Sequence, residues 1–486
     1  MKSIAFLGTG SSVGKSLISA GICRLFSNMN YKTVPFKAQN MSNNSGVTYE
    51  GFEMGRAQII QAISARCLPS AHMNPVLIKP VSNMGSQVIV QGKVFKNTNA
   101  YSYFSNTDDL FSKACESFDK LSLENDACVI EGAGSCCELN LKNRDFVNFK
   151  MAKYANAKVV IVGDIDKGGI FAQLIGTWNL LSNEEKDLVI GFVINKFRGD
   201  IRLFEDGIKI IEEKTGKKVI GVIPYFYDIN IEEEDGISSK SKVDLKDFYM
   251  DDKINVGIIK LPRISNFTDF NPLEMDDRFN VVYFYKNLNE LSKCDVLILP
   301  GTKFTIGDIL WLKNNNFNRI IKSFKNKMIV GICGGFQMMG NIIEDKYNLE
   351  SDLSCINGFG LINSYTYMLP DKILTRIDIK NNIFGNINGY EIHLGKTVIN
   401  ESFKYKIDFQ GRTILVFDPE KKILGTYIHG IFDSLDFRNF FIKNCGFKNR
   451  VSGIECKYSM DAELDKLASY IKKYLDMDFV LKEMNL

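Results

Sequence analysis

Short apolar runs alternate with segments of helical spacing along the first half of the chain. Each run is followed by a loop that contains Gly, Asn or Asp. This alternation predicts a mainly parallel sheet covered by helices, and such sheets bind ligands at the carboxyl ends of their strands. The predicted strands are residues 4–7, 33–36, 128–130, 159–162, 191–194 and 219–223.

The pattern is lost between residues 232 and 252, where acidic, Ser and Lys residues dominate, and this stretch is interpreted as a linker. A second alternating region follows it, and a helix is predicted at 461–474 from the spacing of Leu464, Leu467 and Ile471. The further predicted strands are residues 254–259, 296–299, 328–332 and 423–429.

These patterns predict an α/β protein with two sheet domains. The predicted boundaries are a first domain at 1–232, a linker at 233–252, a second domain at 253–445 and a helical tail at 446–486. A chain of 486 residues with 45% hydrophobic residues agrees with a globular protein of more than one domain.

Charge and cysteine content narrow the class of protein. The formal net charge of +3 gives no electrostatic reason to expect a nucleic-acid partner. The sequence contains no apolar run of about 18 residues, so it predicts no membrane span. The 11 cysteines are odd in number and lack repeated C-x-x-C spacing, which favours a reduced, cytoplasmic setting. The sequence predicts no particular oligomeric state.

A glycine-rich loop between the first strand and its helix is the first candidate site. Residues 8–16 read Gly-Thr-Gly-Ser-Ser-Val-Gly-Lys-Ser. Backbone N–H groups of such a loop hold phosphate oxygens, so Thr9 and Gly14 are expected to contact ATP. Lys15 is expected to reach the β- and γ-phosphates, and Ser16 to bind Mg²⁺. The alternative is a turn that binds no nucleotide.

Polar residues after the other strands fit the same ATP site. Glu131 can hold Mg²⁺ beside the γ-phosphate, or act as a turn carboxylate. Lys37 can stabilise a transferring phosphoryl group, and Asn195 can hydrogen-bond the adenine, although ordinary loop roles are open for both. Asp164 and Asp166 can bind metal, orient a substrate or cap a helix.

The second candidate site is a cysteine framed by glycines. The apolar run at 328–330 leads into Gly331-Ile332-Cys333-Gly334-Gly335, and an apolar helical segment follows. A tight strand-to-helix turn of this kind exposes one side chain, and glycines tolerate its backbone angles. Cys333 is therefore the predicted nucleophile, against the alternative of an inert buried cysteine.

A cysteine nucleophile needs a base, and the chain has 3 histidines. His429 lies at the end of a predicted strand and is the predicted partner of Cys333, because a neighbouring imidazole favours the thiolate. His393 is the second choice. His72 lies in the first domain and is expected to be structural or to face a substrate.

Catalysis on an amide also needs donors for the developing oxyanion. The backbone N–H of Gly334 and the loop at 300–303, which includes Gly301, are predicted to supply them. Gln337 lies one helical turn past the cysteine and is predicted to hydrogen-bond a bound glutamine.

Both candidate sites resemble known families. Residues 8–16 resemble the variant phosphate loop of dethiobiotin synthetase-like ATPases, and the Cys333 region resembles class I glutamine amidotransferases. The usual triad of that class is Cys-His-Glu, with the Glu two residues after the His, where this chain has Ile431. The third member is thus missing or comes from elsewhere, with Glu391 as one candidate. This departure itself resembles the cobyrinate-amidating branch of the class.

Taken together, the segments resemble the cobyric acid synthases. The resemblance implies ATP, Mg²⁺, glutamine and a corrinoid carboxylate as ligands, and amidation of the b, d, e and g carboxylates of adenosylcobyrinic acid a,c-diamide. ATP would activate each carboxylate as an acyl phosphate, and Cys333 would release ammonia through a glutamyl thioester. The matching segments are 8–16, 37–45, 131–135, 164–169, 195–200, 261–270, 299–303, 331–337, 389–395 and 425–430.

Three other functions compete with this one. A cobyrinic acid a,c-diamide synthase has both halves, but usually carries an Asp-rich loop where this chain has the Asn-rich segment 37–45. A partition-type regulatory ATPase shares the variant phosphate loop, but the near-neutral charge and the Cys333 turn oppose it. An amidotransferase limited to free ammonia is opposed by the presence of Cys333 and His429.

Overall fold

The computed structural model describes residues 1–80, 85–99, 107–231, 248–285, 288–324, 326–456 and 458–486. The chain divides into two compact units, Met1–Glu234 with Ser459–Leu486, and Asp235–Tyr458. Residues 233–247 of the predicted linker lie outside the described residues. In the described part of the chain, no helix is long and apolar enough to cross a membrane.

The first unit is built on a six-stranded sheet in which every pairing is parallel. All six strands predicted from its apolar runs are present, which confirms the α/β prediction. The strands of this unit are β1 (Lys2–Gly8), β2 (Thr33–Phe36), β3 (Gln39–Met41), β4 (Ser45–Val47), β5 (Glu53–Gly55), β6 (Val76–Pro80), β7 (Gly85–Val90), β8 (Lys93–Asn99), β9 (Ala127–Glu131), β10 (Lys158–Asp164), β11 (Val189–Phe197) and β12 (Lys218–Pro224).

The strand order of this sheet is β12-β11-β10-β1-β9-β2, so β1 lies between β10 and β9. Its central strands are buried on both faces and read as continuous apolar runs, as parallel strands under two helical layers do. Two smaller sheets, β3-β6-β7-β8 and β4-β5, were not predicted from the sequence. The helices are α1 (Lys15–Asn28), α2 (Arg56–Ser64), α3 (Thr107–Ser122), α4 (Phe149–Tyr154), α5 (Ile170–Leu180), α6 (Asn183–Leu188) and α7 (Glu205–Thr215).

The second unit contains a seven-stranded sheet and a four-stranded sheet. Its strands are β13 (Ile254–Ile259), β14 (Phe279–Phe284), β15 (Val296–Leu299), β16 (Met328–Ile332), β17 (Ile342–Glu344), β18 (Cys355–Asn357), β19 (Ser364–Asn381), β20 (Gly385–Ile399), β21 (Tyr405–Phe409), β22 (Arg412–Asp418) and β23 (Ile423–Thr426). Its helices are α8 (Asn271–Glu274), α9 (Leu288–Leu291), α10 (Thr305–Asn314), α11 (Phe317–Ser323), α12 (Gly334–Met339) and α13 (Leu435–Asn444).

The larger sheet has the order β14-β13-β15-β16-β23-β22-β21 and is parallel from β14 to β23. The predicted strand at 423–429 is shorter in the structure, because β23 ends at Thr426 and His429 lies in the loop beyond it. The second sheet, β18-β17-β19-β20, includes the long antiparallel pair β19 and β20. Their alternately exposed residues gave no continuous apolar run that would have indicated strands.

The C-terminal segment folds as α14 (Met460–Tyr474) and α15 (Met477–Met484), which confirms the helix predicted at 461–474. Residues from Ser459 onward belong to the first unit. The apolar face of α14 packs on α1, where a Cβ placed on Gly21 would lie 2.2 Å from Cδ1 of Ile471. The small residue at position 21 therefore allows the two helices to approach closely.

Arg24 of α1 is fully buried, and its guanidinium forms ion pairs with Asp461 and Asp465 of α14. We expect Arg24→Ala to lower the free energy of unfolding by about 3 kcal/mol, mainly because it removes the packing of a large, fully buried side chain, with a smaller part from its ion pairs to two partly exposed carboxylates. Urea unfolding followed by circular dichroism measures the change. Arg66, which is 45% exposed and also contacts Asp465, is the matched control. Arg66→Ala should cost less than about 1 kcal/mol, and equal effects of the two variants would contradict this account.

Candidate active site

Four neighbouring parallel strands of the second unit end at one edge of their sheet. These are β13, β15, β16 and β23, which are adjacent in that order. The loops that follow them carry Asp269, Gly301, Cys333 and His429. Because the carboxyl ends of parallel strands share one edge, residues far apart in the sequence converge there.

Cys333 lies in the strand-to-helix turn that the sequence predicts. Its backbone is strained, with φ 52° and ψ −109°, and its N–H donates to the carbonyl of Thr426 over 2.8 Å. Gly335 allows the start of α12 to contact β15, since a Cβ there would lie 1.9 Å from the carbonyl oxygen of Leu299. The turn thus holds the Cys333 side chain at the sheet edge, where it is 7% exposed.

His429 contacts Cys333 with one side of its ring and a carboxylate with the other. Its ring lies beside Cys333, because Gly301 borders both Cε1 of the imidazole and Cβ of the cysteine, and Nδ1 donates to Oδ2 of Asp269 over 2.7 Å. The Cys333 thiol donates to the carbonyl of Ile392 over 3.7 Å. Burial lowers the pKa of His429, but the charges of Asp269 and Cys333 outweigh burial and raise that pKa to about 10. The imidazole is therefore protonated at neutral pH and places a positive charge beside the Cys333 side chain.

The glycines predicted to form an oxyanion hole lie beside this pair. A Cβ on Gly301 would lie 3.3 Å from Cε1 of His429 and 3.7 Å from Cβ of Cys333, so this residue borders both side chains. A Cβ on Gly334 would lie 3.3 Å from the backbone nitrogen of Thr302. The structure thus brings both predicted donors next to the thiol, and their contact with an oxyanion stays a prediction.

Gln337 is 2% exposed, and its side chain is bound within the protein. Its Oε1 accepts a hydrogen bond from the hydroxyl of Thr305 over 3.2 Å. The Thr305 hydroxyl oxygen also lies 3.4 Å from Oε1 of Glu350. Burial raises the pKa of Glu350 to about 7. The predicted contact of Gln337 with glutamine stays a prediction.

Glu391, a candidate third member of the cysteine site, has other partners. Its carboxylate lies 3.1 Å from Nε2 of His393 and accepts from Arg412 over 3.0 Å. Glu391, one candidate that the sequence left open for the third position, thus pairs with His393, and the carboxylate on His429 belongs to Asp269. In the first unit, Nδ1 of His72 lies 3.0 Å from the hydroxyl of Ser117.

Asp269 was missed because no local pattern marks it. It lies within the segment 261–270, one of those that resemble the cobyric acid synthases, and it follows β13 after a short loop. The available signal was a buried acidic residue beyond the carboxyl end of a parallel strand. A single sequence does not reveal which histidine such a residue meets.

The glycine-rich loop of the first unit has the conformation expected for a phosphate site. Gly14 has φ 100°, and a Cβ there would lie 2.1 Å from Nδ2 of Asn195, so glycine is required on both counts. The ammonium group of Lys15 donates to the carbonyl oxygens of Gly10 and Gly134, each over 2.9 Å. Lys15 is thereby held across the loop at the carboxyl edge of β1.

The Glu131 carboxylate joins the polar side chains around this loop. It accepts from the hydroxyl of Ser16 over 2.8 Å, from the ammonium of Lys37 over 2.8 Å and from the amide of Gln61 over 2.5 Å. The structure thus brings Ser16, Lys37 and Glu131 together. A hydroxyl and a carboxylate at this spacing are the oxygen ligands that Mg²⁺ takes beside phosphates.

Other predicted nucleotide contacts have protein partners. The Asn195 amide donates to the carbonyl of Val13 over 2.8 Å and supports the loop. The Thr9 hydroxyl donates to Gln173 over 3.1 Å. Asp164 pairs with Lys196 over 2.9 Å.

At the same sheet edge, Asp166 pairs with Arg198 over 2.5 Å. The helix that follows Asp164 and Asp166 has Gly169 as its N-cap, so neither aspartate caps it. Metal binding by these two aspartates stays a prediction. The adenine contact of Asn195 and the phosphate contact of Thr9 also stay predictions.

The two units define a nucleotide-binding domain joined to a glutamine amidotransferase domain. Residues 4–238 match the family model of the CobQ/CobB/MinD/ParA nucleotide binding domain. Residues 255–437 match the model of the CobB/CobQ-like glutamine amidotransferase domain. These matches confirm both halves of the fold class predicted from the sequence.

Full-length relatives identify the family. The chain is 42% identical to the cobyric acid synthase of Clostridium novyi (strain NT), over 100% of this chain and 98% of that protein. It is also 42% identical to the cobyric acid synthase of Chlorobium phaeobacteroides (strain BS1), over 98% of each chain. For that of Chlorobaculum tepidum the identity is 44%, over 91% of this chain and 90% of the relative. The chain belongs to the cobyric acid synthase family.

Proposed function

We propose that this protein amidates the b, d, e and g carboxylates of adenosylcobyrinic acid a,c-diamide, with glutamine as the nitrogen donor and ATP as the energy source. The observation that carries the proposal is the place of Cys333 beside His429, whose ring is hydrogen-bonded to a carboxylate, in a chain that also has a phosphate loop. Similarity over the whole chain to cobyric acid synthases supports the corrinoid as the substrate.

The second unit has the groups needed to release ammonia from glutamine. The Cys333 thiolate attacks the side-chain amide, and the N–H groups of Gly334 and Gly301 are the proposed donors to the oxyanion. His429 gives its proton to the departing nitrogen. Water then hydrolyses the thioester and regenerates the thiol site.

The first unit has the groups needed to activate a carboxylate. ATP supplies the phosphoryl group that turns the carboxylate into an acyl phosphate with a good leaving group. We propose that Lys15 and Lys37 neutralise the negative charge of the phosphates, and that Ser16 and Glu131 bind Mg²⁺. Among the described residues, no group of three His, Cys, Asp or Glu side chains could hold a metal ion. Phosphate oxygens and water would therefore complete the coordination of Mg²⁺.

We infer a cytoplasmic location for this reaction. All 11 cysteines of the chain are free in the structure, which agrees with a reducing compartment. Glutamine and ATP are the proposed small-molecule partners, together with the corrinoid.

Mass spectrometry of the corrinoid after incubation with ATP, Mg²⁺ and glutamine tests the proposal. Each conversion of a carboxylic acid to an amide lowers the mass by about one unit, and glutamine labelled with ¹⁵N in the side-chain amide cancels this shift. The expected result is four conversions that require ATP. Conversion of cobyrinic acid only to its a,c-diamide would identify the related diamide synthase, and an unchanged corrinoid beside hydrolysed glutamine would contradict the proposal.

A further inference from the structure

The carboxylate that contacts His429 comes from an unexpected part of the chain. Class I glutamine amidotransferases place a Glu two residues after the catalytic His, but position 431 is Ile, which is 1% exposed and part of the apolar core. An apolar side chain cannot accept a hydrogen bond from the imidazole. The acceptor is Asp269, which is 160 positions away from His429 in the sequence.

The two carboxylate oxygens of Asp269 accept hydrogen bonds from the adjacent residues His429 and Gly430. Oδ2 accepts from Nδ1 of His429 over 2.7 Å, and Oδ1 accepts from the backbone N–H of Gly430 over 3.0 Å. Asp269 is 3% exposed, so water does not compete for these bonds. The carboxylate is thereby fixed to the ring and to the backbone next to it, which restricts rotation of the imidazole.

The segment around Asp269 also holds the other parts of the site. The ring of Tyr390 stacks on the imidazole, with centroids 5.3 Å apart and an interplanar angle of 20°. Nδ2 of Asn266 lies 3.3 Å from the hydroxyl of Tyr390. The backbone N–H of Ser265 donates to the carbonyl of Gly301 over 3.0 Å. One short segment therefore contacts the histidine, its stacking partner and the loop beside the thiol.

We propose that Asp269 is the positioning residue of the glutaminase reaction, and that it takes the place of the glutamate absent at position 431. A carboxylate on Nδ1 keeps the proton on that nitrogen and directs Nε2 toward Cys333. This role rests on the proposed function, since it concerns the hydrolysis of glutamine.

The proton balance of the reaction shows what this positioning does. In the first step the thiolate sulfur bonds to the amide carbon, the carbon–nitrogen bond breaks, and the imidazolium gives its Nε2 proton to the leaving nitrogen, which departs as ammonia. The neutral imidazole then takes a proton from water. The resulting hydroxide displaces the thiolate from the thioester, which restores the thiolate and the imidazolium.

Asp269 also sets the pH range over which the imidazolium exists. Burial lowers the pKa of His429, whereas Asp269 and Cys333 raise it to about 10. His429 therefore keeps its proton through neutral pH and loses it as the pH rises through about 10, so removal of the Asp269 charge moves this loss to lower pH. The ionisable groups that face the pair include Cys333, His393, Tyr390 and Tyr283, and Asp433 borders the neighbouring Gly430. Glu274 accepts a hydrogen bond from the Tyr283 hydroxyl.

The variant Asp269→Asn tests the proposal. We expect kcat for glutamine hydrolysis to fall by about 10²-fold with KM nearly unchanged, because a positioning residue acts on the reacting groups rather than on substrate binding. The alkaline limb of the pH profile should move down from about 10 by more than one unit. Alkylation of Cys333 by iodoacetamide at neutral pH should slow, and amidation with free ammonia should persist.

Asp269→Glu and Glu391→Gln serve as comparison variants. The first keeps a carboxylate and should recover part of the rate. The second removes the carboxylate that pairs with His393 and Arg412, and should leave the titration of His429 in place. The role of Asp269 would be refuted if Asp269→Asn kept the wild-type rate and pH profile, or if Glu391→Gln shifted the titration of His429 equally.

The wild-type protein provides a test that needs no folded variant. Because the chain has 3 histidines, the imidazole resonances of labelled protein can be assigned and followed with pH. The expected midpoint for His429 is about 10, and a midpoint at the ordinary histidine value would overturn the proposal. A wild type that hydrolyses no glutamine would refute the proposed function instead, whatever the titration of His429 shows.

Discussion

Cys333→Ala is expected to abolish glutamine-dependent amidation, by at least about 10³-fold, while free ammonia still supports the reaction. The thiol sulfur is the proposed atom that bonds to the glutamine amide carbon, and it lies beside His429 at the sheet edge. The alanine variant therefore lacks the thioester step but keeps the groups of the first unit. The measurement is the rate of corrinoid amidation with glutamine divided by the rate with ammonium chloride, for the variant and for the wild type.

Cys445 is the matched control for this variant. It is also a buried cysteine of the second unit, and burial raises the pKa of its thiol, so it lacks the activated character expected of a nucleophile. Cys445→Ala should amidate the corrinoid at the wild-type rate with either glutamine or ammonia. If Cys333→Ala lost amidation with ammonia as well, in a folded protein with normal ATP binding, the assignment of separate chemical roles to the two units would be wrong.

Lys15→Met is expected to lower amidation by about 10³-fold with either nitrogen source. The Lys15 ammonium is held by two backbone carbonyls at the phosphate loop, where it can neutralise the charge that develops on a transferring phosphoryl group. Methionine keeps much of the side-chain volume but removes the charge. Initial rates with ammonium chloride and ATP measure the effect without the glutaminase step.

Lys218→Met is the control for the loss of a lysine in the same unit. Lys218 is 42% exposed and pairs with Asp476 at the surface, so its removal should leave the rate nearly unchanged. The iodoacetamide reactivity of Cys333 should be normal in both variants. Near wild-type amidation by Lys15→Met would mean that the glycine-rich loop does not hold the phosphates of ATP.

Local patterns made the positions of Lys15 and Cys333 predictable. In each case an apolar strand, a turn that needs glycine and a following helix are consecutive in the sequence. The backbone conformations confirm why, since Gly14 has φ 100° and Gly335 leaves no room for a Cβ against Leu299. Short-range sterics alone link such residues to such turns.

Contacts between distant segments were not predictable in the same way. The sequence suggested Glu391 for the third position of the cysteine site, and the structure has Asp269 there. The difference arises from strand order, because β13 and β23 lie on the two sides of β15 and β16 and end at the same edge. Nothing in the residues near Asp269 or His429 encodes that order.

The sequence by itself determined the two α/β domains, the phosphate loop and the cysteine turn, because each depends on periodicity or backbone sterics within a few residues. Only the tertiary structure decided which carboxylate meets His429, and that Glu131 gathers Ser16, Lys37 and Gln61 around one charge. The order in which whole strands pack decides which residues come into contact, and a buried charge is stable only where hydrogen-bonding groups surround it. Both conditions exist only in the folded chain.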